Sequence, residues 1–391
     1  MFLEKFLELD IATQVLAGIF LLSFVVQAFY YLYYYAGVIY YNRKLHRGDV
    51  KHRIKQPPVS VIICSKNEAE NLEALLPTVL EQRYPEFQVV VVNDGSTDES
   101  TEVLDRYAKK YPNLYHTFLP IGAKYMSRKK MCITVAVKAA KYDHLLLIDA
   151  DCRPDSDQWI SEMVRNFTEK KELVIGVGAY APKGGLLNKI ICFDNLFNTM
   201  QYVGLALRRS PYMGTHRNIA YTKEAFLRNK GFISNLGEAF GEDDLFVQDV
   251  ATKENTSVEI AANTVCYRDL NFKAFMLDKE QRMSTRSHYK FGIRMKLALD
   301  TLTRLLFLAS GVALIIFLLN NPGCELFAAI AGGVIFLRYL MMSVIFHKAA
   351  TILRERKSHV SFILLEILLP LLSAYLVTFG RIGTKKRSMW R

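Results

Sequence analysis

LLLIDAD, residues 145–151, decides the fold: an apolar run that reads as a buried strand leads directly into two aspartates one residue apart. A strand of continuous apolarity is covered on both faces, as in a parallel sheet. Two more such runs lie upstream. VSVIIC (59–64), introduced by Pro57 and Pro58, is followed by Asn67, Glu68 and a helical pattern of Leu72, Leu75, Leu76, Val79 and Leu80. VVVV (89–92) ends in Asn93, Asp94 and Gly95, and Ser96, Thr97 and Asp98 offer N-caps to the next helix. A third helix is expected over about 129–141. Strands alternating with helices imply an α/β unit with right-handed crossovers, in which ligands bind beyond the carboxyl ends of the strands. Those ends carry Asn67 and Glu68, then Asp94, then Asp149 and Asp151. Three acidic clusters meeting at one sheet edge mark a candidate active site.

The chemistry follows from the residue types. An aspartate pair at a strand end puts at least one carboxylate into the cleft, and such oxygens suit a hard divalent cation, Mg or Mn, completed by phosphate oxygens. Helix capping is the structural alternative for that pair, and turn formation before Gly95 is the alternative for Asp94. Lys129 and Lys130 begin a helix, where two cations and a helix N-terminus could face an anion; a solvated charge run is the other reading. Further on, LVIGVGAY (173–180) reads as a strand and 188–207 as a helix. In the loop PYMGTHRNIAY (211–221), Gly214 permits close backbone approach and Asn218 offers an amide to a ligand. Glu242, Asp243 and Asp244 then stand together at a helix start. The helix dipole accounts for part of this, but their mutual repulsion would raise at least one pKa towards the range of a general base.

Outside this region the chain is built for lipid. Residues 11–41 contain no Asp, Glu, Lys or Arg, longer than the roughly 20 residues a bilayer needs, and apolar stretches recur at 302–319, 324–346 and 359–380. The tyrosines at 30–41 suit an interfacial belt, and Arg43, Lys44 and Arg47 after them place residue 43 onward in the cytoplasm. Asn320, Asn321, Pro322 and Gly323 read as the turn of a hairpin. Arg338 and Glu366 fall at matched depth on successive antiparallel helices and are expected to pair, because an isolated intramembrane charge costs several kcal/mol. The 391 residues are 51% hydrophobic, with a net charge of +12. Segments 43–55, 348–357 and 381–391 together carry +13, and the remainder is near neutral at −1. That places the basic excess beside apolar segments, which argues for a membrane surface and against nucleic acid. Six cysteines without CxxC or CxxH spacing read as free thiols.

SVIICSKNE, VVVVNDGSTD, LLLIDADC and GEDDLF, in this order and spacing, resemble the family 2 glycosyltransferases over roughly residues 58–290. The resemblance implies a GT-A nucleotide-sugar-binding fold, α/β with a mostly parallel, Rossmann-like sheet, carried here between N- and C-terminal transmembrane helices. It implies inverting transfer of a sugar from a nucleoside diphosphate sugar. Asn67, Glu68 and Asp94 would contact the nucleoside, Asp149 and Asp151 the metal (Mg or Mn) and diphosphate, with Lys129, Lys130 and Arg282 as further donor contacts. Asp243 or Asp244 would deprotonate the acceptor hydroxyl. Processive members carry QxxRW; Gln281 and Arg282 stand where it is expected, but the only tryptophans are Trp159 and Trp390, and neither follows an arginine.

The expected organisation is an anchor at 1–42, a basic linker at 43–57, a cytoplasmic glycosyltransferase domain at 58–290, and an interfacial helix with membrane region at 291–391. The expected protein is a multi-pass inner-membrane enzyme of cell-envelope glycan synthesis. It would add one sugar to an acceptor, lipid-linked or a glycan, in contact with membrane lipids. A processive polysaccharide synthase and a degenerate membrane scaffold are the alternatives.

Overall fold

The computed structural model describes residues 9–52, 56–119, 127–357 and 361–379. The basic segment 381–391 lies outside them. The chain enters through helix α1 (Ile11–Phe29), a π-helical stretch (Tyr30–Tyr35) and α2 (Gly37–His46). Then come β1 (Val59–Ser65), α3 (Ala69–Leu80), β2 (Phe87–Asn93), α4 (Ser100–Lys110), β3 (Leu114–Phe118), α5 (Arg128–Ala139), β4 (His144–Leu147), β5 (Cys152–Pro154) and α6 (Trp159–Val164). The second half runs through β6 (Leu173–Tyr180), α7 (Leu186–Leu207), β7 (Ile219–Thr222), α8 (Lys223–Arg228), α9 (Leu245–Val250), β8 (Thr256–Cys266) and α10 (Phe272–Ser284). It closes with α11 (Phe291–Leu319), α12 (Glu325–Ile352) and α13 (Ser361–Phe379).

One eight-stranded sheet has the order β3-β2-β1-β4-β7-β6-β8-β5. β3, β2, β1 and β4 are parallel, and the apolar runs of the inner strands fit that arrangement: Val59, Val61, Ile62 and Ile63 of β1 and Val89–Val92 of β2 are all buried. The second half departs from a parallel sheet. β7 runs antiparallel between β4 and β6, and β5 runs antiparallel to β8. The result is a mixed sheet, with β4 and its aspartates next to the seam between the halves.

The two faces of the sheet are covered differently. α3, α4 and α6 cover one face through Leu72, Leu75, Leu76, Val103, Leu104, Trp159 and Ile160. On the other face a single apolar core runs from Ile62 and Leu147 through α5 and α7 to Tyr31 and Tyr35 of the anchor and to Met342, Ile345 and Phe346 of α12. The sheet and the long apolar helices therefore share one core. This corrects the interfacial-belt reading of the tyrosines: Tyr30, Tyr31, Tyr34 and Tyr35 are buried in protein, whereas Tyr33 and Tyr40 are exposed. Their hydroxyls reach polar groups inside the bundle, Tyr35 donating to Asp300 at 2.7 Å and Tyr30 to the Lys296 carbonyl at 2.7 Å.

Among the described residues three helical segments, Ile11–His46, Phe291–Leu319 and Glu325–Ile352, are long and apolar enough to cross a membrane. α11 and α12 form the expected hairpin around Asn320–Gly323. The interfacial helix expected at the start of 291–391 is not a separate element. A 3-10 turn (Thr285–His288) and Tyr289 break the chain after α10, and Arg294 and Lys296 belong to the first turns of α11. Arg338 and Glu366 do pair: Arg338 Nη1 donates to Glu366 at 3.0 Å and Nη2 to its other oxygen, with both side chains fully buried.

Gly204 on α7 fixes how the sheet meets the anchor. A Cβ there would lie 2.5 Å from the Tyr34 carbonyl oxygen and 2.9 Å from its carbon. Backbone cannot swing aside as a side-chain tip can, so Gly204→Val is expected to destabilise the protein by about 3 kcal/mol. Gly18→Val, on α1 where nothing lies within 4 Å, should leave thermal unfolding in detergent unchanged. Equal melting of the two variants would contradict this packing.

Candidate active site

β4 stops at Leu147, and Ile148 prolongs its line by donating to the Ile62 carbonyl at 3.1 Å. The chain turns at Asp149 and Ala150, and the Asp151 carbonyl then accepts from Tyr267 N–H at 2.8 Å as β5 joins β8. The two carboxylates are thereby presented beyond the strand end, and both line one open cleft. Lys129 Nζ, on the first turn of α5, lies 3.3 Å from Asp149 and 3.9 Å from Glu242. Burial would lower the Lys129 pKa, but Asp149, Asp243 and Glu242 outweigh it and hold it above its ordinary value. Asp151 is pushed up by burial and by the charge of Asp149.

The acidic triplet lines the same cleft. Gly241 before it has φ +107, a conformation that L side chains rarely adopt, and a Cβ there would meet Leu245 at 2.6 Å. The three carboxylates have different surroundings. Asp244 is the N-cap of α9: one oxygen accepts from Leu245 N–H at 2.8 Å and the other from the hydroxyls of Thr285 and Tyr289. Burial raises its pKa, and those hydrogen bonds only partly offset the rise. Glu242 is also buried and raised by burial, although Lys129 opposes the shift. Asp243 is the most open of the three, with its side chain about one-third exposed. Its Oδ1 accepts from the His216 backbone N–H at 2.6 Å and contacts the ring Nδ1. Burial would raise its pKa, but His216 and then Lys129 overcome this and hold Asp243 well below the usual carboxylate range. Asp243 is thus an ionised, oriented carboxylate, whereas Asp244 is tied into the fold.

The structure brings Lys129, Asp149, Asp151, Asp243, Asp244 and Arg282 to this cleft. Arg282 also lies 3.5 Å from Asp194, a buried α7 carboxylate that takes a second cation, Lys279. Lys130 is a correction: Nζ points away and donates to the carbonyls of Asn235 and Glu238 at 2.7 and 2.8 Å. Consecutive residues on a helix lie about 100° apart, so only one of two adjacent lysines can face the cleft. Asn218 is a second correction. It is fully buried, accepts from Trp159 Nε1 at 3.1 Å and donates to the Val177 and Ala262 carbonyls, which leaves no amide for a ligand.

Asn67, Glu68 and Asp94 form a neighbouring cluster at the ends of β1 and β2. Asn67 has φ +53 and accepts from Thr97 N–H at 2.8 Å. Glu68 is raised by burial. Asp94 is buried and paired with Arg128, while its Oδ2 has no hydrogen-bond partner among the described residues.

Sequence reading passed over Arg128, His216, Arg217 and Arg268. Arg217 and Arg268 line the cleft, and both carry positive charge towards Asp151. No spacing links them to the aspartates, because β7 and β8 are paired with the rest only in the folded sheet. The same holds for Cys152 and Cys266. All six cysteines are free, but these two are cross-strand partners, and their sulfurs with an Asp151 oxygen lie within 4.8 Å of one another.

Residues 60–226 match the family described as Glycosyl transferase family 2. Among curated proteins the chain is similar to the poly-beta-1,6-N-acetyl-D-glucosamine synthases of Staphylococcus epidermidis, 25% identical over 233 residues, and Staphylococcus aureus, 24% over 234 residues. Each alignment covers 56% of this chain and 52% of the relative, so the chain spans about half the length of the curated relatives it matches. Among solved structures it is similar to the mannosyltransferase PcManGT from Pyrobaculum calidifontis in complex with GDP-Man and Mn2+, at 17% identity and TM-score 0.49, covering 85% of this chain and 97% of that one. It is also similar to S. aureus TarS 1–349 in complex with UDP-GlcNAc, at 18% identity and TM-score 0.39, covering 66% and 73%.

Proposed function

We propose, for a chain whose residues 60–226 match glycosyl transferase family 2, that the cleft transfers a sugar from a nucleoside diphosphate sugar to an acceptor hydroxyl with inversion. The observation that carries this is the convergence on one cleft of the Asp149–Asp151 pair, Lys129 beside Asp149, and the Asp243 carboxylate, about one-third exposed and oriented by His216. Direct displacement at an anomeric carbon needs a base for the incoming hydroxyl and a stabilised leaving group behind. Asp243 takes the proton. Lys129 offers a fixed positive charge to the departing diphosphate. Asp151, raised by burial and by its neighbour Asp149, belongs to a pair whose crowded negative charge a divalent cation would relieve, so these residues fit Mg or Mn. When bound, that ion would supply charge neutralisation to the leaving group.

The acceptor is lipid-linked on this reading, because the cleft is also walled by Tyr289 and by Leu297 of the membrane helix α11. The basic residues that follow the anchor support a cleft on the cytoplasmic side of the inner membrane. A second reading, polymer synthesis, is favoured by the likeness to the staphylococcal poly-beta-1,6-N-acetyl-D-glucosamine synthases. Sizing the product from purified protein, one nucleotide sugar and membrane lipid extract separates the two. A single added sugar is expected, and long polymer would overturn that expectation in favour of the second reading.

A further inference from the structure

The segment that leaves α12 packs against the sheet domain. It exits through Arg354 at φ +54, with Glu355 N–H donating back to the Ala350 carbonyl at 2.9 Å, and its next three side chains all land on the catalytic domain. Arg354 pairs with Asp155 after β5, and Arg356 donates to the Lys183 carbonyl and to Asn188. Glu355 goes deepest. It is buried between β6 and α7, where one oxygen accepts from Tyr180 N–H at 3.2 Å and from the Asn195 amide. Of the basic stretch 348–357, Arg354 and Arg356 are therefore spent on protein, not on lipid headgroups.

Asn195 passes this contact on. Its carbonyl oxygen accepts from Arg217 Nη2 at 2.7 Å, while Arg217 Nε lies 3.3 Å from Thr215 Oγ1 and the guanidinium stacks over the Tyr180 ring at 4.8 Å. Two edges of the fork and its plane are thus fixed. The remaining nitrogen, Nη1, is buried and has no partner among the described residues, in a side chain that lines the cleft. An unpaired guanidinium nitrogen at a cleft wall is suited to an anionic oxygen brought by a ligand. Its position selects which one. Asn67, Glu68 and Asp94 lie at the β1 and β2 end of the sheet, whereas Arg217 precedes β7, on the other side of β4. If the nucleoside lies at the first place, the second faces the phosphate nearer the sugar.

We propose that Arg217 binds the sugar-proximal phosphate of the donor and that Glu355, delivered by the membrane hairpin, is its positioning residue acting through Asn195. This rests on the donor reading given above. It makes the completed donor site depend on a segment that follows the second C-terminal membrane helix. Burial raises Glu355 to about 7, so the neutral amide of Glu355→Gln is the apt isostere for testing its role.

The test is calorimetric binding of UDP and GDP to the full chain in detergent with Mn2+, with UMP and GMP as controls. For whichever base binds, Arg217→Met is expected to weaken the diphosphate at least tenfold and the monophosphate less than threefold. Glu355→Leu should reproduce that selective loss, and Glu355→Gln should restore diphosphate affinity to within threefold of the parent. Asn195→Leu cuts the same link from α7 and replaces Glu355→Leu if the latter does not fold. If the parent binds neither diphosphate, the donor reading falls and this assignment with it. If the parent binds but Arg217→Met leaves the diphosphate unaffected, or weakens both nucleotides equally, only the Arg217 assignment is overturned. Unchanged diphosphate affinity in the leucine variant would overturn the role of Glu355.

Discussion

Asp243→Asn is expected to lower the rate of sugar transfer by about 10³-fold while changing donor affinity less than twofold. The amide keeps the shape and the contact with the His216 backbone N–H, but it cannot accept the acceptor's proton. Asp243 is suited to that task because its carboxylate is open to the cleft and oriented by the His216 backbone N–H. Asp244→Asn should behave in the opposite way. Asp244 caps α9 and accepts from Thr285 and Tyr289, so its replacement costs stability, about 1–3 kcal/mol, more than turnover. Steady-state kinetics of both variants beside their thermal unfolding decide the matter. A large loss of turnover in Asp244→Asn, with Asp243→Asn active, would reverse the assignment of the base.

The second large effect is expected at the buried ion pair. Arg338→Gln and Glu366→Gln should each destabilise the chain by about 3 kcal/mol, because each strands its charged partner among apolar helices. The double variant should lose clearly less than the sum, since neither charge is then left alone. Arg338 Nη2 also reaches Gln27 Oε1 and Tyr31 Oη, each at 3.1 Å, and the Tyr31 hydroxyl donates to Glu366 at 2.8 Å. Part of the loss therefore comes from the anchor, and the coupling is smaller than either single effect. Additive losses, read from denaturation in detergent, would contradict a direct pair.

The parallel half of the sheet was legible because β1, β2 and β4 carry unbroken apolar runs that end in polar residues at one edge. That pattern is local, and it located Asp94, Asp149 and Asp151 without any knowledge of pairing. The antiparallel insertion of β7 between β4 and β6 was not legible, because nothing in IAYT (219–222) states which strands will flank it. Arg217 and His216, just before that strand, were missed for the same reason. Lys130 shows a different limit. Two adjacent lysines look alike in a sequence, but helix rotation sends one into the cleft and the other onto the Asn235 and Glu238 carbonyls. The tyrosines at 30–35 show a third: an aromatic at the end of an apolar helix suits a headgroup layer or a protein core equally well, and here the sheet's own core receives most of them. The Arg338–Glu366 pair, by contrast, could be foreseen, because helix rise alone sets both charges at one depth.

The central claim is that this cleft cleaves nucleotide sugars for transfer. Its most direct test is release of nucleoside diphosphate by the purified full chain from a panel of common UDP- and GDP-sugars, with membrane lipid extract and Mg2+ or Mn2+. The account predicts release from one donor, dependent on the lipid extract, lost on chelation of the metal and lost in Asp243→Asn. No release from any donor with both lipid and metal present would contradict it.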